Sequence, residues 1–175
     1  AMAAAGRDEV LKNWPNLRGP FGQGVAYGAK PPPRWDGASG QNIRWKTPVP
    51  KPGFNSPIVW GERVFLAGAD ASSREVYCFD AATGKLRWQK SVASSAGAPK
   101  VSEDTGFAAS TLACDGRFVF AIFATGDLAA FDLDGNPAWT RSLDVTGNHY
   151  GYASSLFAWR YLFVQVDVES GGEIF

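Results

Sequence analysis

The chain reads as an all-β protein made of four-stranded antiparallel units set side by side, and three observations predict it. One hairpin phrase is written twice. Glu75-Val-Tyr-Cys-Phe-Asp-Ala-Ala-Thr-Gly-Lys-Leu-Arg-Trp88 returns as Asp127-Leu-Ala-Ala-Phe-Asp-Leu-Asp-Gly-Asn-Pro-Ala-Trp139. Phe79-Asp80 falls over Phe131-Asp132, Gly84 over Gly135 and Trp88 over Trp139. Each copy is an apolar run, a tight turn with Gly and a second run carrying Trp, which is the pattern of a β-hairpin. The repeat also extends upstream: residues 56–66 lie over 110–120 without a gap, and a third start appears at 154–164. Finally, the runs are β-branched or aromatic and break at Gly and Asp, while apolar residues at helical spacing occur only over 5–12. Repeated four-stranded units predict the blades of a β-propeller.

The elements follow in chain order. Residues 1–36 form an extended lead-in. Residues 42–49, Asn-Ile-Arg-Trp-Lys-Thr-Pro-Val, match 85–92, Lys-Leu-Arg-Trp-Gln-Lys-Ser-Val, with Trp45 over Trp88. They are a fourth strand without its own first three. An early strand that completes the last blade would remove two open sheet edges at once, so 42–49 are expected to close the ring. The blade over 56–92 carries strands near 56–60, 63–69, 75–80 and 85–92. The blade over 110–143 carries them near 110–114, 117–124, 127–132 and 137–143, with hairpin signals at Asp115-Gly116 and Asp134-Gly135. A further blade starts over 154–175, and the sequence stops where its second strand should turn into a third. Trp45, Trp88 and Trp139 are expected to wedge between blades; ligand stacking is their alternative role.

The phrase Asp80-Ala-Ala-Thr-Gly-Lys-Leu-Arg-Trp88 resembles the repeat of quinoprotein-like (PQQ-repeat) β-propellers, the fold of pyrroloquinoline quinone (PQQ) alcohol dehydrogenases and of an outer-membrane assembly scaffold lipoprotein. The second copy is degenerate and lacks the Thr before Gly135. The opening Trp14-Pro-Asn-Leu-Arg-Gly-Pro-Phe-Gly-Gln-Gly-Val25 is similar to the lead-in of many bacterial secreted members. The resemblance covers about residues 14–175. It implies a ring of about seven or eight blades. At roughly 40–50 residues per blade, even four to eight blades need on the order of 200–400 residues. The chain is therefore expected to be part of a longer product. Association of short chains into a ring is the alternative, and either missing blades or self-association must cover the open edges. The resemblance also implies an extracytoplasmic address, periplasmic or secreted. Ala1-Met-Ala-Ala-Ala5 reads either as the small-residue end of a cleaved signal peptide or as an expression remnant.

Charge and composition narrow the chemistry. Lys plus Arg and Asp plus Glu both number 17, and no basic run occurs, so nucleic-acid binding by charge is disfavoured. No stretch of 18 apolar residues is present, so no transmembrane helix is expected. Cys78 and Cys114 read as small buried residues, too far apart to form a disulfide. With one histidine they do not make a metal site. Asp70, Asp104 and Asp127 read as turn formers.

No catalytic constellation is legible. His149, the single histidine, lies in the loop Thr146-Gly-Asn-His-Tyr-Gly-Tyr152, and neither a nucleophile elbow nor a phosphate loop is present. The resemblance implies that quinone-binding dehydrogenases use a vicinal cysteine pair, a calcium site of carboxylates and amides, and a Trp beneath the quinone. This chain has no vicinal cysteines, so neither PQQ nor calcium is expected in this segment.

One pattern suggests binding. Gly53-Phe54-Asn55-Ser56, Gly106-Phe107-Ala108-Ala109-Ser110 and Gly151-Tyr152-Ala153-Ser154 each precede a first strand. First strands line a propeller's channel, and these loops share one face. Phe54, Phe107 and Tyr152, with His149 and Tyr150 beside them, are thus a candidate aromatic rim for a peptide or small ligand. The same rings could instead fill gaps between blades. Two functions follow. The first is a non-catalytic binding or scaffold propeller that takes a protein or small ligand through loops on one face. The alternative, implied by the resemblance alone, is a PQQ-dependent alcohol or sugar dehydrogenase whose cofactor site lies in other blades.

Overall fold

A computed structural model describes residues 4–94, 99–143, 145, 148, 150–168 and 171–175. Two four-stranded antiparallel sheets follow one another along the chain. The first holds β1 (Ile58–Trp60), β2 (Arg63–Ala69), β3 (Arg74–Asp80) and β4 (Leu86–Ser91) in simple meander order. The second repeats it with β5 (Ala113–Cys114), β6 (Phe118–Ile122), β7 (Asp127–Asp132) and β8 (Pro137–Ser142). These are the strands expected from sequence, with a shorter opening strand in the second blade. Both sheets carry an irregularity at the same place in the third strand, between Cys78 and Phe79 and between Ala130 and Phe131. The duplication thus reaches the level of register.

The burial gradient sets the radial direction. β7 is buried along nearly its whole length, whereas β4 and β8 are mostly exposed apart from their half-buried Trp. First strands lie innermost, where β5 approaches both β1 and β9 (Phe157–Trp159). The main core fills the space between the two complete blades. It joins Phe65, Val76 and Cys78 of the first to Val119, Ala121, Ala129 and Phe131 of the second. A second cluster, around Ile122, Leu128, Tyr152 and Leu156, does the same for the third unit.

Trp88 is the wedge that the repeat predicts. Its ring centroid lies 5.8 Å from Phe65 in its own blade and 6.1 Å from Phe131 in the next. Its indole N–H donates to Leu133 O at 3.1 Å, and its ring covers Gly135. Trp45 repeats the arrangement one step earlier: its N–H donates to Ala81 O at 2.9 Å and its ring covers Gly84. Trp139 sits 5.9 Å from Phe120 and packs on the second cluster.

Trp45 takes its repeat position, and residues 42–49 pair with no strand among the described residues, which hold no last blade for them to complete. Three expectations need correction. The third unit goes further than expected. β10 (Tyr161–Phe163) pairs with β9, and β11 (Gln165–Val168) pairs with β12 (Gly171–Ile174), so a third strand is present. Asp127 is not a turn former: it opens β7, is 3% exposed and faces Arg74. The lead-in is not extended throughout. It contains α1 (Arg7–Val10) and a 3-10 turn at Pro20–Gly22, and it folds back onto the blades.

Candidate functional site

The Gly-aromatic loops lie on the face where chains cross from blade to blade, the same face as the β2–β3 hairpin. Their backbones are tied together. Phe54 N donates to Ala108 O at 2.9 Å, and Ala124 N donates to Phe107 O at 3.1 Å. Asn55 does most of the joining. Its amide donates to Ala67 O at 2.7 Å and to Ala108 O at 3.0 Å, and its carbonyl accepts from Ala67 N at 3.1 Å. One side chain thus pins the first loop both to β2 and to the loop of the next blade. Ser56 N to Thr111 Oγ1 (3.0 Å) and Thr111 N to Ser155 Oγ (3.1 Å) continue the chain of contacts across three units.

This fixed backbone leaves a pocket of about 190 Å³ lined by Pro52, Gly53, Phe54, Ala69, Asp70, Gly106 and Phe107. Two of the expected rim residues therefore come together, from corresponding phrases in successive blades. Phe54 is 63% exposed and stands over Gly106, where its ring meets no side chain. Phe107 is half-buried and rests on the core. The other rim residues part company. Tyr152 is buried in the second cluster, filling the joint between blades, and Tyr150 is exposed on the surface. Thr105 Oγ1 donates to Tyr150 O at 2.7 Å, which ties that loop to the one carrying Phe107. His149 lies outside the described residues.

Asp70 borders the pocket but does not make it polar. The Lys51 ammonium, 2.5 Å away, and the Ser72 and Ser73 hydroxyls and amides occupy its carboxylate. Lys51 foremost, then Ser72, hold the Asp70 carboxyl well below the ordinary carboxylate range, and Asp70 in turn raises Lys51. What the pocket offers a ligand is therefore carbon and two phenyl rings. It suits an apolar or aromatic group of side-chain size.

Cys78 and Cys114 are both buried in the blade core, where desolvation pushes each thiol up to about 12. Among the described residues no three His, Cys, Asp or Glu side chains gather to hold a metal ion. No helix among the described residues is long and apolar enough to cross a membrane.

Sequence reading missed Asn55 and the docking of the lead-in. Asn55 falls inside a repeated phrase, but its counterpart position in the second phrase holds Ala108, so repetition gave no signal for it.

Comparison with known proteins agrees with this architecture. The family model described as outer membrane protein assembly factor BamB matches residues 34–158. None of the curated proteins matches the chain. Among solved structures, a quinohemoprotein alcohol dehydrogenase from Pseudomonas putida HK5 superposes with a TM-score of 0.55 at 19% identity, over 95% of this chain and 26% of that one. BamB from Moraxella catarrhalis superposes with a TM-score of 0.50 at 20% identity, over 75% of this chain and 38% of that one. The chain thus spans well under half the length of either structure. At these identities the likeness is one of fold, shared by a dehydrogenase and an assembly factor alike. With the family model covering most of its length and two repeat blades in register, the chain belongs to the PQQ-like repeat β-propeller family.

Proposed function

We propose that this chain is part of a non-catalytic binding or scaffold propeller that engages an apolar group of a protein or small ligand through the loop face. The pocket between Phe54 and Phe107 carries the reading. An aromatic ring left 63% exposed beside an apolar pocket, on a backbone held by Asn55, is a prepared contact rather than core packing. The match to a family model described as an assembly factor supports a protein partner and an extracytoplasmic address.

A phage-displayed library of random heptapeptides, panned against the full gene product, tests the reading. Binders rich in Phe, Trp or Leu whose capture falls at least tenfold with Phe54→Ser are expected. Phe54 is largely exposed, so this variant keeps its fold. Panning that yields no binder, or capture that Phe54→Ser leaves unchanged, overturns the reading. So does dye reduction with an alcohol or sugar by the product reconstituted with PQQ and calcium, which is the dehydrogenase's signature.

A further inference from the structure

Three consecutive lead-in residues each bond to the first strand of a different blade. Trp14 forms a two-way bridge with Val59 of β1, at 2.9 Å and 2.8 Å. Pro15 O accepts from Cys114 N of β5 at 2.9 Å. Asn16 Oδ1 accepts from Ala158 N of β9 at 2.9 Å. One residue earlier, Asn13 Oδ1 accepts from Gly61 N, just after β1, at 2.7 Å. These amides lie on the free edges of the innermost strands, which would otherwise face the axis without a partner. Pro15 and Asn16 are among the most completely buried residues in the chain.

The segment is built for this position. Gly19 turns the chain with φ +72°, and a Cβ there would stand 2.4 Å from the Trp14 indole. Phe21 meets Trp159 edge-on at 5.1 Å, and Val10 is buried in the core between the blades. Beyond it the chain is different: residues 23–42 are exposed throughout, with Trp35 at 69%. A docked segment therefore hangs on an exposed tether, as a peptide ligand would.

We propose that residues 13–16 are an axial clamp: a peptide ligand carried by the chain itself, which binds the inner edges of three blades, fixes their order, and closes the axis on the face opposite the Phe54–Phe107 pocket. Trp14 and Pro15 supply backbone pairing, Asn13 and Asn16 supply side-chain carbonyls, and all five bonds go to main chain. The site therefore recognises the Asn-Trp-Pro-Asn segment through main-chain groups of three blades. The clamp is independent of any ligand at the loop face.

A specific protease site placed between Gly28 and Pro33 tests it, because cutting there leaves every docking contact in place. The nicked lead-in is expected to co-elute with the blades on gel filtration. Asn16→Ala in the nicked protein is expected to weaken retention at least tenfold, and excess peptide of residues 4–24 to displace it. In the uncut protein, hydrogen exchange reads the same clamp. Asn16→Ala should speed exchange at Ala158 N–H and also at Cys114 and Val59 N–H, while Val119 and Ala129 in the sheet ladder stay protected. Release of the lead-in on nicking with an unchanged far-ultraviolet spectrum would overturn the proposal, as would a change confined to Ala158.

Discussion

Trp88 and Gly135 belong to different blades and occupy one another's space. A Cβ at Gly135 would stand 2.8 Å from the indole, and Gly135 holds φ +85°, so both backbone and neighbour demand glycine there. Trp45 and Gly84 make the same pair one blade earlier, at 2.5 Å and φ +70°. The repeated phrase thus carries a plug and a socket that never serve each other. Each Trp leaves its own hairpin to cover the glycine turn of the next. A blade with the phrase can stack on both sides, which is what a radial array requires.

Trp88→Ala should destabilise the protein by about 3–5 kcal/mol, the usual cost of emptying an aromatic site in a core. The lost indole leaves Phe65 and Phe131 facing a void and Leu133 O without its donor. Trp88→Phe restores most of the volume but not the hydrogen bond, so it should recover more than half. Denaturant titration followed by circular dichroism reads both. Equal losses in the two variants would mean that the indole N–H, not the packing, holds the blades together.

Gly135→Ala isolates the socket. Left-handed backbone alone costs a residue with a Cβ about 1–2 kcal/mol. Gly28 has a comparable φ of +74° with nothing within 4 Å of its Cβ direction, so Gly28→Ala measures that strain alone. Gly135→Ala should lose clearly more, the excess coming from the displaced Trp88 ring. Matching midpoints for the two variants in thermal unfolding would remove the socket from the account.

Acid should weaken the hairpin turn of the first blade. Arg87 foremost, then the Thr83 hydroxyl and amide, hold the Asp80 carboxyl well below its ordinary value. A carboxyl depressed in the folded state contributes stability that is full above its unfolded value, about 3.9, and is lost as pH falls toward the folded one. Stability of the wild type should therefore decline below about pH 4. Asp80→Asn should start lower at pH 7 and decline less steeply. The partner Asp132 turn has Asn136 in place of the Arg-Thr set, so Asp132→Asn should flatten the acid limb less. Urea midpoints measured between pH 2.5 and 7 give the slopes, and parallel curves for wild type and Asp80→Asn would refute the linkage.

Much of this architecture was legible because it repeats. Two copies of Phe-Asp, turn glycine and Trp fix hairpin, period and inter-blade wedge together, without any need for a strict in–out alternation along each strand. The aromatic loops were legible as a set but not in their separate fates. The same Gly-aromatic phrase leaves Phe54 exposed, half-buries Phe107 and buries Tyr152, since each ring's surroundings come from the neighbouring blade and not from its own segment. The role of Asp127 is hidden for the same reason: its partner Arg74 lies 53 positions away by sequence number and in another sheet. The clamp at residues 13–16 gave no periodic signal at all, because it is a single segment whose contacts are spread over three blades.

The Arg74–Asp127 pair makes the sharpest claim about how two blades are joined. The charges stand 4.0 Å apart with side chains 8% and 4% exposed, and Thr125 and Ser94 hydroxyls donate to the same carboxylate at 2.5 Å and 2.7 Å. Arg74 Nε has no hydrogen-bond acceptor among the described residues. Burial of two charges is expensive, and their attraction offsets it only in part. Asp127→Asn should therefore cost about 3–5 kcal/mol, because it leaves the Arg74 guanidinium buried without its counter-charge. Arg74→Met together with Asp127→Leu removes both charges at similar volume and should restore most of that loss or exceed the wild type. A double-mutant cycle in guanidinium chloride gives the coupling directly. A double variant as unstable as Asp127→Asn alone would show that the hydroxyls of Thr125 and Ser94, rather than the ion pair, depend on that carboxylate.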